Sequence, residues 1–387
     1  MHDWPTFDAA QLRRERWGKT AELMAALGLD HLLLTTFDAI RYTTDVRTLI
    51  IAEGFDWFAA VVGPEGTCDV LVPWVDERVD DPEPDRPWVR SLRPLPSWAP
   101  ALSHRTSWVR ALAGVLRERG ARRVGVDLLA SDLLEGIRAE LPETTFRGIA
   151  TELYDLRLRK DALEIRLLEA ASAVNARAAE AALAAARPGA LDHDVLAAAM
   201  ASLQRAGVEY LSHSLCNVRR GSGTWFAVGN ELREGEAFFF DIGCYGAGGY
   251  ASDMARVGFV GEPPAAIRAA YRRLLEAHRI GEETARPGVR ASEIQAAVNG
   301  YLERQGLPIT PYSVGHGIGL RACELPTIHR ADRMDRDQML AEGMVIALEP
   351  ETAVEVDGRP VVLKVEDDYV VERDGLRRLT DAGYATA

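Results

Sequence analysis

Four carboxylates in this chain of 387 residues lie in or beside segments that are otherwise apolar. Asp241 ends the run EAFFFD, and Asp253 follows twelve residues later, after a glycine-rich turn. Glu349 lies in VIALEPET and Glu366 in VLKVEDDYVV. Because burial of an unpaired carboxylate costs several kcal/mol, four of them together require a compensating positive charge. A pair of divalent cations would provide that charge.

One histidine joins the four carboxylates. His316 lies in YSVGHGIGL, where a glycine on each side lets backbone approach closely and leaves the imidazole unobstructed. Oxygen ligands together with one imidazole suit manganese, cobalt, iron or zinc. Two such ions would also polarise a water molecule for attack on a carbonyl carbon. Each residue alone fits a turn, an edge strand or a buried hydrogen-bonded histidine, whereas the ordered set favours a metal site.

The second half of the chain predicts the elements that position this set. Two pairs of helical segments are each followed by paired strand segments, which indicates a duplicated α+β unit around a curved antiparallel sheet. Asp161, with Glu164 three residues later, is expected to begin a long helix through a capping box. Asp192 is expected to cap the next helix.

The first half alternates helix and strand patterns. We therefore expect an α/β domain over residues 1–154 and a catalytic domain over residues 155–387. The segment FAAVVGPEGTCDVLVPW predicts two strands joined by a turn that contains glycine. Residues 80–100 are rich in proline and charge, which predicts a surface excursion.

Composition excludes several classes of function. The net charge of −13 leaves no basic surplus for nucleic acid or an anionic membrane. No apolar run reaches the ~18 residues of a transmembrane helix, and the first residues lack the pattern of a signal peptide. The cysteines form no CxxC pair, which predicts a reduced, cytoplasmic chain without a disulfide framework. They are Cys68, Cys216, Cys244 and Cys323.

The motifs DIG…YASDMAR, GHGIGL, LEP and KVEDDYVV, in this order, resemble those of the pita-bread superfamily. That superfamily includes aminopeptidase P, prolidase, methionine aminopeptidase and creatinase. The resemblance is strong over residues 155–387 and extends more weakly to the first domain through DAIRYTTDVR. It implies an α+β fold: a pita-bread catalytic domain preceded by a creatinase-type α/β domain, in a homodimer.

The resemblance also implies roles for the five residues. In the metallopeptidases of this superfamily the matching positions bind two metal ions, so the ligands here would be Asp241, Asp253, His316, Glu349 and Glu366. Manganese is the first expectation, with cobalt, iron and zinc as alternatives. His316 and Glu349 are the expected catalytic residues, with Glu349 as general base and proton shuttle. The expected reaction is cleavage of an amide C–N bond by a metal-activated water.

Two positions depart from the peptidases of the superfamily, which have substrate-binding histidines there. The first histidine falls at Thr224 or Trp225, in GSGTWFAVGN, and the second at Cys323, in GHGIGLRACELP. Those histidines are thought to hold the substrate carbonyl and to stabilise the oxyanion. We therefore expect Thr224, Trp225 and Cys323 to contact the substrate, although a packed aromatic and a small apolar filler remain the alternatives for Trp225 and Cys323.

Other residues are candidates of lower rank. His213 and His329 lie near the two altered regions in sequence, and either is a candidate to replace a missing histidine in space. In the first domain, Arg41 is a candidate substrate contact, and Tyr42 and Trp57 are considered with it. Ordinary surface or core positions are the alternative for each.

Two substrate classes fit the sequence, an Xaa-Pro peptide and a small zwitterionic metabolite of the kind cleaved by ectoine-hydrolase-like members. The altered histidines favour the metabolite, and the shared frame favours the peptide. A metal-dependent lyase acting on a sulfonium compound ranks lower, because Ala322 offers no base at the relevant position. A binding protein that keeps the fold without catalysis ranks lowest, because the five ligand positions are retained.

Overall fold

The computed structural model describes residues 4–47, 58–73, 86–95 and 105–385, so that Trp57 lies outside the described residues. The chain divides into two compact units. The N-terminal unit comprises residues 7–157, and the C-terminal unit comprises residues 158–387 with the first six residues. Within the described ranges, no helix has both the length and the apolar character needed to cross a membrane.

The N-terminal unit is an α/β domain in which helices cover both faces of a mixed sheet. The alternation of buried residues along β1 separates two cores, since Leu33 packs with α3 and α4 while Leu32 and Leu34 pack with α1, α2 and α5. The helices are α1 (Ala9–Leu27), α2 (Phe37–Thr44), α3 (Arg105–Glu118), α4 (Ser131–Glu140) and α5 (Ala150–Leu156). The strands are β1 (His31–Leu34), β2 (Ala59–Val62), β3 (Cys68–Pro73), β4 (Val89–Leu95), β5 (Arg123–Val126) and β6 (Thr145–Gly148).

The strand order in this sheet is β4-β3-β2-β1-β5-β6. The antiparallel hairpin β2–β3 confirms the strand pair predicted from its glycine-containing turn. The expectation of a surface excursion over residues 80–100 is wrong for residues 89–95, which form the edge strand β4 parallel to β3. An edge strand tolerates the proline and the charges that suggested a loop, because one of its sides has no ladder to maintain.

The C-terminal unit contains two helix pairs, and each pair precedes a group of strands. The helices are α6 (Ala162–Ala185), α7 (Asp192–Arg205), α8 (Ala265–Thr284) and α9 (Ala291–Arg304). The strands are β7 (Tyr210–Asn217), β8 (Glu236–Tyr245), β9 (Ala251–Val260), β10 (Gly315–Gly317), β11 (Glu324–Ile328), β12 (Val345–Leu348), β13 (Glu351–Val356), β14 (Arg359–Lys364), β15 (Asp367–Glu372) and β16 (Gly375–Arg378).

Every strand pairing of the C-terminal unit within the described residues is antiparallel, as the sequence predicts. One sheet has the order β7-β8-β9, a larger one has the order β11-β10-β12-β15-β16, and β13 pairs with β14. Strand β8 is buried on both faces. Phe238 and Phe240 pack towards α6 and α7, while Phe239 packs towards α8 and β14. This double burial explains the continuous apolar run before Asp241.

The predicted start of α6 is confirmed, because Asp161 is its N-cap and donates its backbone N–H to Glu164 at 2.8 Å. The assignment of Asp192 as the cap of α7 is wrong. Leu191 is the N-cap, and Asp192 lies in the first turn. Its buried carboxylate accepts hydrogen bonds from three successive backbone N–H groups at residues 228–230. Asp192 therefore fixes the loop that leads into β8.

Candidate metal and active site

The register of β8 and β9 brings Asp241 and Asp253 onto one face of the sheet. Asp253 lies opposite Gly243, which is two residues beyond Asp241 on its strand. Residues in this diagonal relation have side chains on the same face and within reach of each other. The two aspartates lie on the face of Phe239, opposite the face that packs on α6 and α7. Both side chains are buried.

Strands β10 and β12 position His316 and Glu349. His316 pairs with Ala347, and Glu349 directly follows β12, where its backbone N–H donates to Val314 at 2.8 Å. The glycines beside His316 are required by close backbone approach. A Cβ at residue 315 would lie 2.2 Å from the carbonyl oxygen of Ala347, and one at residue 317 would lie 1.9 Å from that of Leu325.

Glu366 lies between β14 and β15, and its backbone N–H donates to Ala255 of β9 at 3.0 Å. This hydrogen bond joins the second group of strands to the strand that carries Asp253. As a result, the side chains of Asp253, His316 and Glu366 each offer a ligand atom within 4.8 Å of the others. A second group on the same criterion contains His213, Asp241 and Asp253. Asp253 belongs to both groups.

Unsatisfied oxygens show that these residues fit a bound cation. Oδ1 of Asp253 and both carboxylate oxygens of Glu366 are buried and have no hydrogen-bond donor within the described residues. Buried carboxylates in proteins are almost always hydrogen-bonded, paired or coordinated to metal. Nε2 of His316 lies 3.6 Å from Oε1 of Glu366, so an imidazole nitrogen faces the same space. Carboxylate oxygens with imidazole nitrogen form a donor set for a divalent ion.

Lys364 is the residue of the candidate site that sequence analysis missed. Its Nζ lies 2.5 Å from Oδ2 of Asp241, 2.9 Å from Oε2 of Glu349 and 3.1 Å from Oε2 of Glu366. The side chain is buried, so its ammonium is a fixed positive charge among three carboxylates. A lone lysine in the apolar segment VVLKV, two positions before Glu366, is the signal that would have identified it, because alternate residues of a strand share a face.

Burial and neighbouring charges together set the protonation of the carboxylates. Burial alone would raise the pKa of Asp241, but Lys364 and His213 hold it below its usual range. Burial raises the pKa of Asp253, and the nearby charge of Glu366 raises it further. Burial also raises the pKa of Glu349 to about 7, although Lys364 acts against this shift. Glu349 lies in neither group of candidate ligands, and its closest charged partner is Lys364.

His213 lies beside Asp241 and Asp253, on β7, which is the strand of this sheet that carries neither aspartate. Its Nε2 is 2.8 Å from Oδ1 of Asp241 and 3.1 Å from Oδ1 of Asp253. Burial would lower the pKa of His213, but the two carboxylates outweigh it and hold the pKa well above its usual range. The other low-ranked histidine, His329, belongs to neither group of candidate ligands found in the described ranges.

Thr224 and Trp225 lie in the loop between β7 and β8. The hydroxyl of Thr224 donates to the carbonyl oxygen of Gly221, within its own loop. The ring of Trp225 makes an edge-to-face contact with Tyr312, with centroids 5.7 Å apart. The hydroxyl of Tyr312 in turn donates to Glu351 at 2.8 Å. Trp225 is half-buried and packs against the apolar cluster that contains Phe239, so it is partly a packed aromatic.

Cys323 is exposed, directly before β11. Desolvation of its thiol raises the pKa of Cys323, His316 counteracts this effect, and Glu349 adds to it. In the N-terminal unit, Arg41 and Tyr42 are buried on α2, and Nε of Arg41 lies 3.4 Å from Oδ1 of Asp45. The proposed substrate contacts of Thr224, Trp225, Cys323 and Arg41 stay predictions.

Comparison with known proteins identifies the class. The model of metallopeptidase family M24 matches residues 166–373, which is more than half of the chain. The chain belongs to this family. It is therefore a metal-dependent hydrolase with the pita-bread fold, as the sequence motifs predict, and the family implies divalent metal ions.

Individual relatives agree with this assignment. The chain is 32% identical over 272 residues to the candidate dipeptidase YkvY of Bacillus subtilis (strain 168), covering 67% of this chain and 72% of the relative. It is 25% identical over 266 residues to the Xaa-Pro dipeptidase of Pyrococcus horikoshii, covering 67% of this chain and 74% of the relative. The crystal structure of the prolidase from Pyrococcus horikoshii OT3 matches 96% of this chain and 100% of that chain, with a TM-score of 0.76 at 21% identity.

Proposed function

We propose that this protein is a dinuclear metal-dependent hydrolase that cleaves the amide bond of a short peptide, with Xaa-Pro dipeptides as the first substrate class. The observation that carries the proposal is the unsatisfied carboxylate cluster. Asp253 belongs to two groups of candidate ligands, and the side chains of Asp253 and Glu366, which include oxygens without hydrogen bonds, lie beside His316. Relatives named Xaa-Pro dipeptidases support the substrate class.

The ligands of the two ions would be Asp241, Asp253, His316, Glu349 and Glu366. Asp253 would contribute to holding both ions, because both groups contain it. When bound, such ions polarise a carbonyl group and lower the pKa of water, which makes an amide open to hydrolysis at neutral pH. Burial keeps bulk water away from these carboxylates, so their charges act at low screening.

Glu349 would hold and transfer the proton in this reaction. A carboxyl group whose pKa is raised to about 7 can take up a proton and release it near neutral pH. Lys364 holds Oε2 of Glu349 at 2.9 Å, and Ser313 lies 3.5 Å from Oε1. We propose that these two contacts orient the carboxylate towards the substrate, while Lys364 offsets the negative charge of the cluster.

A small zwitterionic metabolite is the second candidate substrate. The observation in its favour is the absence of histidine at residues 224 and 323, where Thr224 and Cys323 occur. A peptidase without those imidazoles must hold the substrate carbonyl with other groups. The edge-to-face pair of Trp225 and Tyr312 provides a rigid wall of the kind that a compact or cationic molecule contacts.

Manganese is the ion proposed first, because most of the predicted ligands are hard oxygen atoms. Cobalt, iron and zinc remain the alternatives.

A homodimer is proposed from the resemblance of the N-terminal unit. A cytoplasmic location is proposed from the four free cysteines, three of which are buried. The sulfonium lyase stays in last place, because Ala322 provides no base.

The proposal is tested by hydrolysis of a panel of Xaa-Pro dipeptides and matched Xaa-Ala dipeptides, with bound metal counted on the same manganese-loaded sample. We expect about two ions per chain and turnover of the Xaa-Pro members. Glu349→Gln should abolish turnover, and the matched control Glu355→Gln, at an exposed position of β13, should leave it unchanged. Two bound ions without turnover of any dipeptide would replace the peptide by the zwitterionic class, to be screened as cyclic amides.

A further inference from the structure

His213 occupies an irregular point of the sheet that carries the aspartates. Leu211 pairs with Cys244 and Ser214 pairs with Ile242, so that two residues, Ser212 and His213, stand opposite one residue of β8. Two residues opposite one define a β-bulge, which changes the direction in which a side chain points. The bulge directs the imidazole to the face that carries Asp241 and Asp253, where its Nε2 meets one oxygen of each aspartate.

The strand opposite is shaped to receive this ring. A Cβ at residue 243 would lie 2.5 Å from Cε1 and 2.9 Å from Nδ1 of His213. Only glycine leaves room for the imidazole against the backbone of β8. Gly243 is also the residue that faces Asp253 in the register, so the ring, the glycine and the aspartate lie in one row across the three strands.

Nε2 of His213 donates to Oδ1 of Asp241 at 2.8 Å, and a cation bound between the aspartates would take the place of that proton. Nδ1 of His213 lies 3.1 Å from the hydroxyl oxygen of Ser212. An imidazole that donates its Nδ1–H to an oxygen keeps the lone pair on Nε2, which is the usual arrangement of a metal-bound histidine. Oδ1 of Asp253 lies 3.1 Å from Nε2 but has no hydrogen bond, so the ring does not satisfy it.

We propose that His213 is a metal ligand in addition to the five family positions, and that it binds the ion held by Asp241 and Asp253. The inference rests on the proposed dinuclear site. With His316 in the other group of ligands, each ion then has one imidazole. An added nitrogen ligand increases the preference for zinc or cobalt over manganese, because imidazole suits the later ions better than a site made of oxygen ligands alone.

The test compares the purified, metal-free full chain with His213→Ala, using Co²⁺ and Zn²⁺ alone as probes. We expect calorimetric titration to show that the variant loses affinity for one of the two ions by on the order of a hundredfold, the upper range for loss of a group that supports a metal site. X-ray absorption of the zinc-loaded proteins should show the imidazole contribution halved. His193→Ala, which removes an exposed histidine of α7, should match the unchanged protein in both measurements.

The outcomes separate this inference from the proposed function. Two ions bound with unchanged affinity and unchanged imidazole contribution in His213→Ala would overturn the inference and leave the dinuclear site standing. An unchanged protein that binds fewer than two ions would overturn both. A second variant, His213→Asn, keeps a polar side chain in the bulge. It guards against a folding defect, because it should show the same loss of affinity with an unchanged urea midpoint.

Discussion

Two buried carboxylates, Glu366 and Asp367, follow one another in the chain and face different surroundings. Neither oxygen of Glu366 makes a hydrogen bond in the described part of the chain, and its nearest ammonium, Nζ of Lys364 at 3.1 Å, is shared with Asp241 and Glu349. Both oxygens of Asp367 are bonded. Oδ1 accepts from Nη2 of Arg256 at 2.6 Å and from the hydroxyl of Thr380, and Oδ2 accepts from the hydroxyl of Tyr384 at 2.6 Å.

The difference teaches how to separate a structural charge from a functional one. Arg256 and Asp367 are fully buried and neutralise each other, so the carboxylate of Asp367 is satisfied without a ligand. Glu366 shares its space with Asp253, and the two negative charges repel, which raises the pKa of Asp253 beyond the effect of burial. The free-energy cost of burying these carboxylates is offset when a cation binds among them. We therefore expect opposite results when these adjacent residues are neutralised. Glu366 should lose activity, and Asp367 should lose stability.

The largest effect is expected for Glu366→Gln. Removal of this ligand should lower turnover of an identified substrate about 1,000-fold, equivalent to ~4 kcal/mol in the activation free energy. Metal content measured on the same sample should fall with it. The metal-free variant should resist urea as well as the unchanged protein or better, because one repelling charge is gone. A variant that keeps both ions and full turnover would remove Glu366 from the site.

Asp367→Asn should have the reverse profile. The substitution leaves the buried guanidinium of Arg256 without its counter-charge, and breaking such a pair costs about 3 kcal/mol or more of the free energy of unfolding. Urea unfolding measures this loss, and metal bound per folded molecule should stay the same. Asp381→Asn, at an exposed position of the same unit, is the matched control. Equal stability of the two variants would contradict the structural role of Asp367.

Local patterns predicted most of the elements, and the errors have identifiable causes. The capping pair Asp161 and Glu164 and the hairpin β2–β3 were correct because their signals lie within a few residues of sequence. Asp192 was assigned to a cap because a cap is the common role of aspartate before a helix. Its true partners are backbone groups more than thirty residues later, at 228–230, and no local pattern contains them.

In the candidate site too, features encoded by short motifs were predicted, and features that depend on contacts between distant strands were not. The motifs gave the five proposed ligands, and register then placed Asp241 and Asp253 on one face. Lys364 was missed because its role depends on three carboxylates from different strands. The position of His213 depends on a bulge, and the bulge depends on how β7 pairs with β8. The sequence indicated that His213 lies near the site, but the direction of its side chain could not be predicted from it.

Metal binding should stabilise Asp367→Asn much more than Glu366→Gln. At a free ion concentration about 100 times the Kd, one bound ion adds about 2.7 kcal/mol to the free energy of unfolding. The unchanged protein and Asp367→Asn should both gain this amount from manganese, and Glu366→Gln should gain much less. Thermal unfolding with and without the ion measures the gain, with magnesium as a control ion. A gain that disappears in Asp367→Asn would mean that the two carboxylates act as one network.

The smallest effect concerns His278, which lies beside the completed network. Its Nδ1 is 3.2 Å from the hydroxyl of Tyr384, and its Nε2 is 3.2 Å from the carbonyl oxygen of Leu348. Burial lowers the pKa of His278, more than Asp367 and Glu282 raise it. The unfolded chain therefore binds the proton first, so the contribution to stability is present above about pH 6.5 and is lost as the pH falls.

Acidification from about pH 7 to about pH 5.5 should accordingly cost at most about 1 kcal/mol through this one group. The measurement is the free energy of unfolding in urea at both pH values, for the unchanged protein and for His278→Gln. Other titrating groups contribute equally to both proteins, so the difference between the two pH dependences isolates His278. Identical dependences would mean that the pKa of His278 is the same in the folded and unfolded chain, and a stability that rises on acidification would mean that the imidazole is held protonated beside Asp367, 4.0 Å away. In that case the network around Asp367 would need a further cation to be complete, and the contrast with Glu366 would lose its basis.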